Sequence, residues 1–170
     1  MRKFGAACVF VLSIIAAPGA QAFCAYKGVL DAKTSVAQEF SDAQLVVRAR
    51  VLSASDHLSD EDESWTEYRL EVLRAYKGRP PASLRFFTFR NSGGFYLDLP
   101  GLALPAAHDI GGEYLLFLNP AEDPDAVAEG WPVAAKGSYV VNYSCGVSAP
   151  WREVSPASRK QLLKLSGQVR

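Results

Sequence analysis

Histidine is nearly missing from this chain, with only His57 and His108 present, and methionine occurs once. Neither histidine stands near a plausible nucleophile in the sequence, so no coherent catalytic set can be assembled. His108-Asp109 reads as a turn rather than as half of a triad. Cysteine is sparse too: Cys8, Cys24 and Cys145, without a CxxC pair or a histidine spaced for zinc. No metal and no cofactor are called for. Charge of one sign is also lacking, since 18 lysines and arginines balance 18 aspartates and glutamates. Such a chain has no field to hold a polyanion, which argues against nucleic acid as a partner. After the first two dozen residues no apolar run is long enough to span a bilayer. The Gly93-Gly94 pair has neither the strand-to-helix context nor the trailing lysine of a phosphate loop. Internal repeats and low-complexity tracts are missing as well.

What is present at the start has the form of an export signal. Arg2 and Lys3 supply a positive region, residues 6–17 an apolar one, and Ala20-Gln21-Ala22 a small-x-small cleavage site. The expected division is a signal over residues 1–22 and one domain over 23–170, periplasmic or secreted. A lipid-modified cysteine is not expected, because Cys24 follows Phe23 and Cys8 lies too early. Cleavage leaves 16 basic residues against 18 acidic ones and keeps Cys24 and Cys145. In an oxidising compartment these two most simply pair; two metal-bound thiolates are the competing reading, without the usual spacing.

The mature chain alternates like a β-protein. In residues 44–52, Leu45, Val47, Ala49 and Val51 share a face, and Val46, Arg48, Arg50 and Leu52 the other. Residues 33–40 suggest a short helical turn or loop before it, with Asp42 opening the strand. The polar stretch 53–64 carries Asp56, Asp60, Glu61, Asp62 and Glu63; it lacks the order and glycine of a calcium loop and reads as a solvated hairpin connection. Strands follow over 65–76, with Tyr68, Leu70 and Val72 inward, and over 83–90, where Phe86, Phe87 and Phe89 read as core rather than as a stacking platform. Residues 113–118 form a near-continuous apolar strand, as expected where both faces are covered. Residues 131–135 and 138–143 read as a hairpin around Lys136-Gly137. Ser155-Pro156 then starts a terminal helix whose apolar face is Leu162, Leu163 and Leu165. Five or six strands and one helix make a mostly β chain.

Taken together, Cys24, the run from Ser41 through Gln44-Leu45-Val46-Val47-Arg48 to Val51, the segment Tyr68-Arg69-Leu70 through Tyr76-Lys77-Gly78, then Gly112-Glu113-Tyr114-Leu115-Leu116-Phe117-Leu118 and Ser144-Cys145-Gly146 resemble the netrin-like module of the tissue inhibitors of metalloproteinases. The resemblance spans most of the mature chain and implies a small closed five-stranded barrel of the OB type with its N-terminal segment pinned by disulfides. It also implies inhibition by chelation, in which a free N-terminal cysteine amine and carbonyl bind a protease's zinc. Here Phe23 would be first and Cys24 second, and the family's Cys-x-Cys pair is reduced to one cysteine.

The functional expectation is therefore a non-enzymatic OB-fold module that binds a protein or other macromolecular partner. The alternative is inhibition of a metalloproteinase through the mature N-terminal segment. The 22-residue connection 91–112 is long enough to be functional, and together with the N-terminal segment it is the expected binding surface. The candidate contact residues are Phe23, Cys24, Tyr96 and Leu102.

Overall fold

The computed structural model describes residues 24–58, 64–90, 94–100, 107–121 and 135–168. The order is β1 (Ala25–Tyr26), β2 (Val29–Leu30), α1 (Val36–Asp42), β3 (Leu45–His57), β4 (Trp65–Lys77), β5 (Ser83–Phe89), β6 (Glu113–Pro120), β7 (Tyr139–Val141), β8 (Ala149–Pro150), a 3-10 turn (Trp151–Glu153) and α2 (Pro156–Gln168). The expected signal and the first arm of the expected 131–143 hairpin lie outside the described residues.

Five strands close a barrel in the order β3-β4-β5-β7-β6 and back to β3; β8 pairs with β6 outside the ring. All ring pairs are antiparallel except β5 with β7. This is the expected small OB-type barrel. Its closure depends on β3, which pairs with β6 over its first half and with β4 along nearly its whole length. Three register shifts between β3 and β4 supply the bend such a strand needs.

The inward face of β3 is the expected one: Leu45, Val47, Ala49 and Val51 are buried with Tyr68, Leu70, Phe86, Tyr114, Leu116 and Leu118 in the barrel. The other face is wet only in part. Val46 is fully buried beneath the helices, in a second core with Phe40, Leu115, Phe117 and Leu162. The sequence pattern of β6 has the same cause: Leu116 and Leu118 point into the barrel, Leu115 and Phe117 point to the helical layer.

Three boundaries and one helix face differ from the sequence reading. Asp42 ends α1 rather than opening the strand, because Ser35 caps the helix by accepting from the Gln38 amide and Phe40 is held in the second core. Residues 53–57 belong to β3, paired with Trp65–Arg69, so Asp56 sits on a strand and not in a loop. β7 is three residues long, shorter than the expected 138–143, and pairs with β6 and β5. On α2, Ser155 caps through the Ser158 amide as expected and Leu162 is fully buried, but Leu163 is 48% exposed, since neighbouring helical positions diverge by about 100°.

Candidate functional site

The N-terminal segment folds into a hairpin the sequence reading did not anticipate. Lys27 and Gly28 form its two-residue turn with φ of 50° and 78°, the left-handed pair that matches the twist of flanking strands. A two-by-two-residue hairpin has no stability of its own. It is held by what lies beneath it. Cys24 is joined to Cys145, with Cα atoms 6.0 Å apart across 121 residues of sequence, and the Tyr26 and Tyr143 rings pack at 4.9 Å.

A chain of hydrogen bonds ties the hairpin to the barrel. The Gln44 amide donates to Asn119 Oδ1 at 2.8 Å, Asn119 Nδ2 to Asn142 Oδ1 at 3.1 Å, and Asn142 Nδ2 to the Tyr26 hydroxyl at 3.3 Å. That hydroxyl donates to Asp42 Oδ2, which also meets Lys27 Nζ at 2.8 Å. The Lys27 and Tyr26 bonds hold the Asp42 carboxyl below its ordinary range against a smaller effect of burial. Burial, reinforced by Asp42, pushes the Tyr26 phenol up to about 12, so it stays a donor. Lys77 Nζ closes the end of α1 by donating to the Phe40 and Ser41 carbonyls, both at 2.8 Å. On this support Val29 and Leu30 project into solvent, 60% and 64% exposed.

At the other end of the barrel the structure brings together residues that lie far apart in sequence. Arg90, just after β5, donates through Nε to Thr66 Oγ1, through Nη1 to Asp98 Oδ2 and through Nη2 to the Tyr68 hydroxyl at 3.0 Å. His108 Nε2 lies 3.0 Å from Asp56 Oδ2, and its Nδ1 lies 2.9 Å from Asp98 Oδ1 and 3.1 Å from Arg90 Nη2. A neutral ring donates to Asp56 and accepts from Arg90; a protonated ring donates to both carboxylates. It is satisfied in either state. Burial disfavours the Asp98 carboxylate, but bonds from Arg90, His108 and Tyr68 outweigh it and hold the carboxyl low. Asp56 is likewise held low, Thr66 and His108 prevailing over burial. Both hydroxyls of the cluster are spent, Tyr68 donating to Asp98 at 2.8 Å and Thr66 to Asp56 at 2.6 Å. The cluster is a clamp. It fastens a strap, in which Asp98 and His108 are bridged antiparallel, across the barrel mouth with Leu97 buried in the core.

Of the expected contact residues, Cys24 sits in the hairpin support, bonded to Cys145. Tyr96 belongs to the strap: its hydroxyl donates to the Arg90 carbonyl at 2.7 Å, and the Arg90 guanidinium stacks 4.9 Å from its ring. Phe23 and Leu102 lie outside the described residues. Among the described residues, Gln44, before β3, meets the hairpin network, whereas Asp56, near the end of β3, meets the strap. His108 pairs with Asp56 and Asp98 and not with its neighbour Asp109, which accepts from the Tyr114 hydroxyl at 2.9 Å. Asp56 and His108 were visible in the sequence, but nothing in it placed them 3 Å apart. The hairpin had a legible signal, a Lys-Gly pair between Tyr26 and Val29.

Among the described residues no group of histidine, cysteine, aspartate and glutamate is arranged to hold a metal, and no helix is long and apolar enough to cross a membrane. No protein-family model matches the chain, and the comparison with curated proteins gives no match. The geometry alone carries the functional reading.

Proposed function

We propose that this chain is an exported, non-enzymatic OB-fold module that recognises a protein partner through the hairpin 25–30. The observation that carries the reading is the pairing of exposure with immobilisation. Single exposed leucines are ordinary. Here two adjacent branched aliphatic residues sit on a six-residue hairpin fixed by a disulfide, an aromatic pair and an ion pair. Ordering the contact residues beforehand removes an entropic cost of association, which is the usual benefit of a preorganised recognition loop. A non-enzymatic role is supported by the barrel-mouth cluster, whose hydroxyls are both committed to carboxylates.

A photo-cross-linking residue at position 29 of the full chain, in its producing cell, tests this. A discrete cross-linked protein that disappears on Leu30→Asp is expected; an unchanged cross-linking pattern in that variant overturns the reading.

The disulfide at Cys24 favours a second reading, metalloproteinase inhibition through Phe23 and Cys24, because it fixes the chain next to the expected mature N-terminus. Titrating a zinc metalloproteinase with the mature protein, with and without one added N-terminal residue, separates the two. Chelation through the α-amine fails in the extended form, whereas binding through Val29 and Leu30 does not.

A further inference from the structure

Behind the hairpin lies a group that the binding surface does not use. Glu39, in the middle of α1, is fully buried. Its Oε1 accepts from the Thr34 hydroxyl and, at 2.9 Å, from the Val147 amide, while Oε2 is buried without a partner. Gly146 packs flush on this carboxyl: a Cβ there would fall 2.1 Å from Oε1. Any larger residue would have to displace the glutamate. The turn so held follows directly on Cys145, which is bonded to Cys24 at the root of the hairpin.

We propose that Glu39 is a proton-operated latch on the hairpin: carrying a proton it lets α1 close on the Gly146-Val147 turn, and releasing that proton to water loosens the turn, the disulfide and the hairpin together. The inference rests on the hairpin being the recognition surface and concerns its regulation. An anion in this position would be fully buried with no cation beside it, and its Oε2 would make no hydrogen bond although the Asn142 amide lies near, an arrangement few structures tolerate. The groups that face it are the Thr34 hydroxyl ahead of α1, the Tyr26 phenol on β1, the Asn142 amide and Val147 N–H after β7, and Asp42 one turn along the same helix. None of these is a cation. Lys27 is spent on Asp42, and Lys77 on the carbonyls at the end of α1.

Burial raises the carboxyl, the Thr34, Val147 and Asn142 groups oppose the rise without cancelling it, and Asp42 adds to it. The folded state therefore keeps its proton above 4.5, where the unfolded chain has lost it. The stabilisation is complete below 4.5 and is lost as pH rises through the higher folded value. Asp42 works in the opposite direction: its contribution is present above 3.8 and disappears as pH falls through its lower folded value. The hairpin is thus held most firmly in mild acid and loosens as pH rises through the raised Glu39 value.

Amide hydrogen exchange read at two positions tests the latch in the whole protein. The Asp31 amide donates to the Cys24 carbonyl at 2.7 Å and reports hairpin closure; the Val147 amide reports the latch itself. With the intrinsic pH dependence of exchange divided out, the opening constants of the native protein should rise by up to about tenfold per pH unit as Glu39 ionises. Glu39→Gln should give flat profiles, and parallel profiles for the two proteins overturn the proposal. If Glu39→Gln does not fold, a carbon-detected titration of the Glu39 carboxyl in the native chain decides: a midpoint in the ordinary glutamate range overturns it, a raised one supports it. Because these readouts need no partner, a lost latch with persistent cross-linking at position 29 rejects only the latch. A working latch with unchanged cross-linking in Leu30→Asp rejects only the recognition surface.

Discussion

Single residues on this barrel differ sharply in what they can tolerate, according to which face of a strand they occupy. Val47 is fully buried in the barrel interior, and Val47→Asp is expected to abolish folding, seen as loss of a cooperative thermal transition. Arg48, its neighbour on the outer face, is about one-third exposed, yet it donates to Glu113 through Nε at 2.8 Å and lies over the Trp151 ring at 4.5 Å. Removing it should cost about 1 kcal/mol, since the site is partly solvated. Arg90 and Asp98 are more deeply enclosed, with side chains 17% and 11% exposed. Asp98→Asn leaves the guanidinium without its main counter-charge and should lower unfolding free energy by about 3 kcal/mol in a denaturant titration at neutral pH. The sign with pH follows from the low carboxyls of Asp56 and Asp98. Their stabilisation is present above 3.8 and is lost as pH falls through the folded values beneath it. The acid limb of the melting curve should accordingly be shallower in Asp98→Asn than in the native protein.

Elements here take their boundaries from what they pack against. Strands β3 and β6 were legible as strands because alternation and continuous apolarity report which faces are covered. The burial of both faces of β6 was correctly implied by its run of apolar residues. Helix α1 extends to Asp42 because Phe40 finds Val46 and Leu162, two contacts no local pattern contains. Helix α2 offers a clean comparison: Leu162→Ala should destabilise by about 3 kcal/mol, whereas Leu163→Ala should stay within about 0.5 kcal/mol, both read as shifts in denaturation midpoint. The hairpin of β1 and β2 depends on its tether. Cys145→Ser removes the closure of a 121-residue separation and should lower stability by about 4 kcal/mol in the chain-entropy model, with the largest loss of exchange protection at Asp31. An unchanged melting curve would count against the bridge.

At the scale of the whole molecule, the described residues form two polar-anchored regions, the hairpin tied through Asp42 and the strap tied through Asp56. The hairpin is exposed, apolar and pinned; the strap is held by a polar clamp with Leu97 in the core. Intact mass of the protein isolated from its producing cell, under non-reducing and reducing conditions, tests the expectations of export and of the disulfide together. A chain beginning at Phe23 that gains the mass of two hydrogens on reduction is expected, whereas a chain beginning at Cys24 would place a free amine on the tethered cysteine and favour the chelating reading. By itself the sequence determined the mostly β class, the inward face of β3, the double burial of β6 and the terminal helix, because each follows from local periodicity or capping; the Cys24–Cys145 pairing it offered only beside a metal-thiolate alternative. Only the tertiary structure decided that Asp56, Arg90, Asp98 and His108 meet, that Glu39 is buried against Gly146, and that Asp42 ties to the hairpin while Asp56 ties to the strap. Those facts depend on which strands close the ring and in what register, and contacts across a barrel leave no trace in the spacing of residues along the chain.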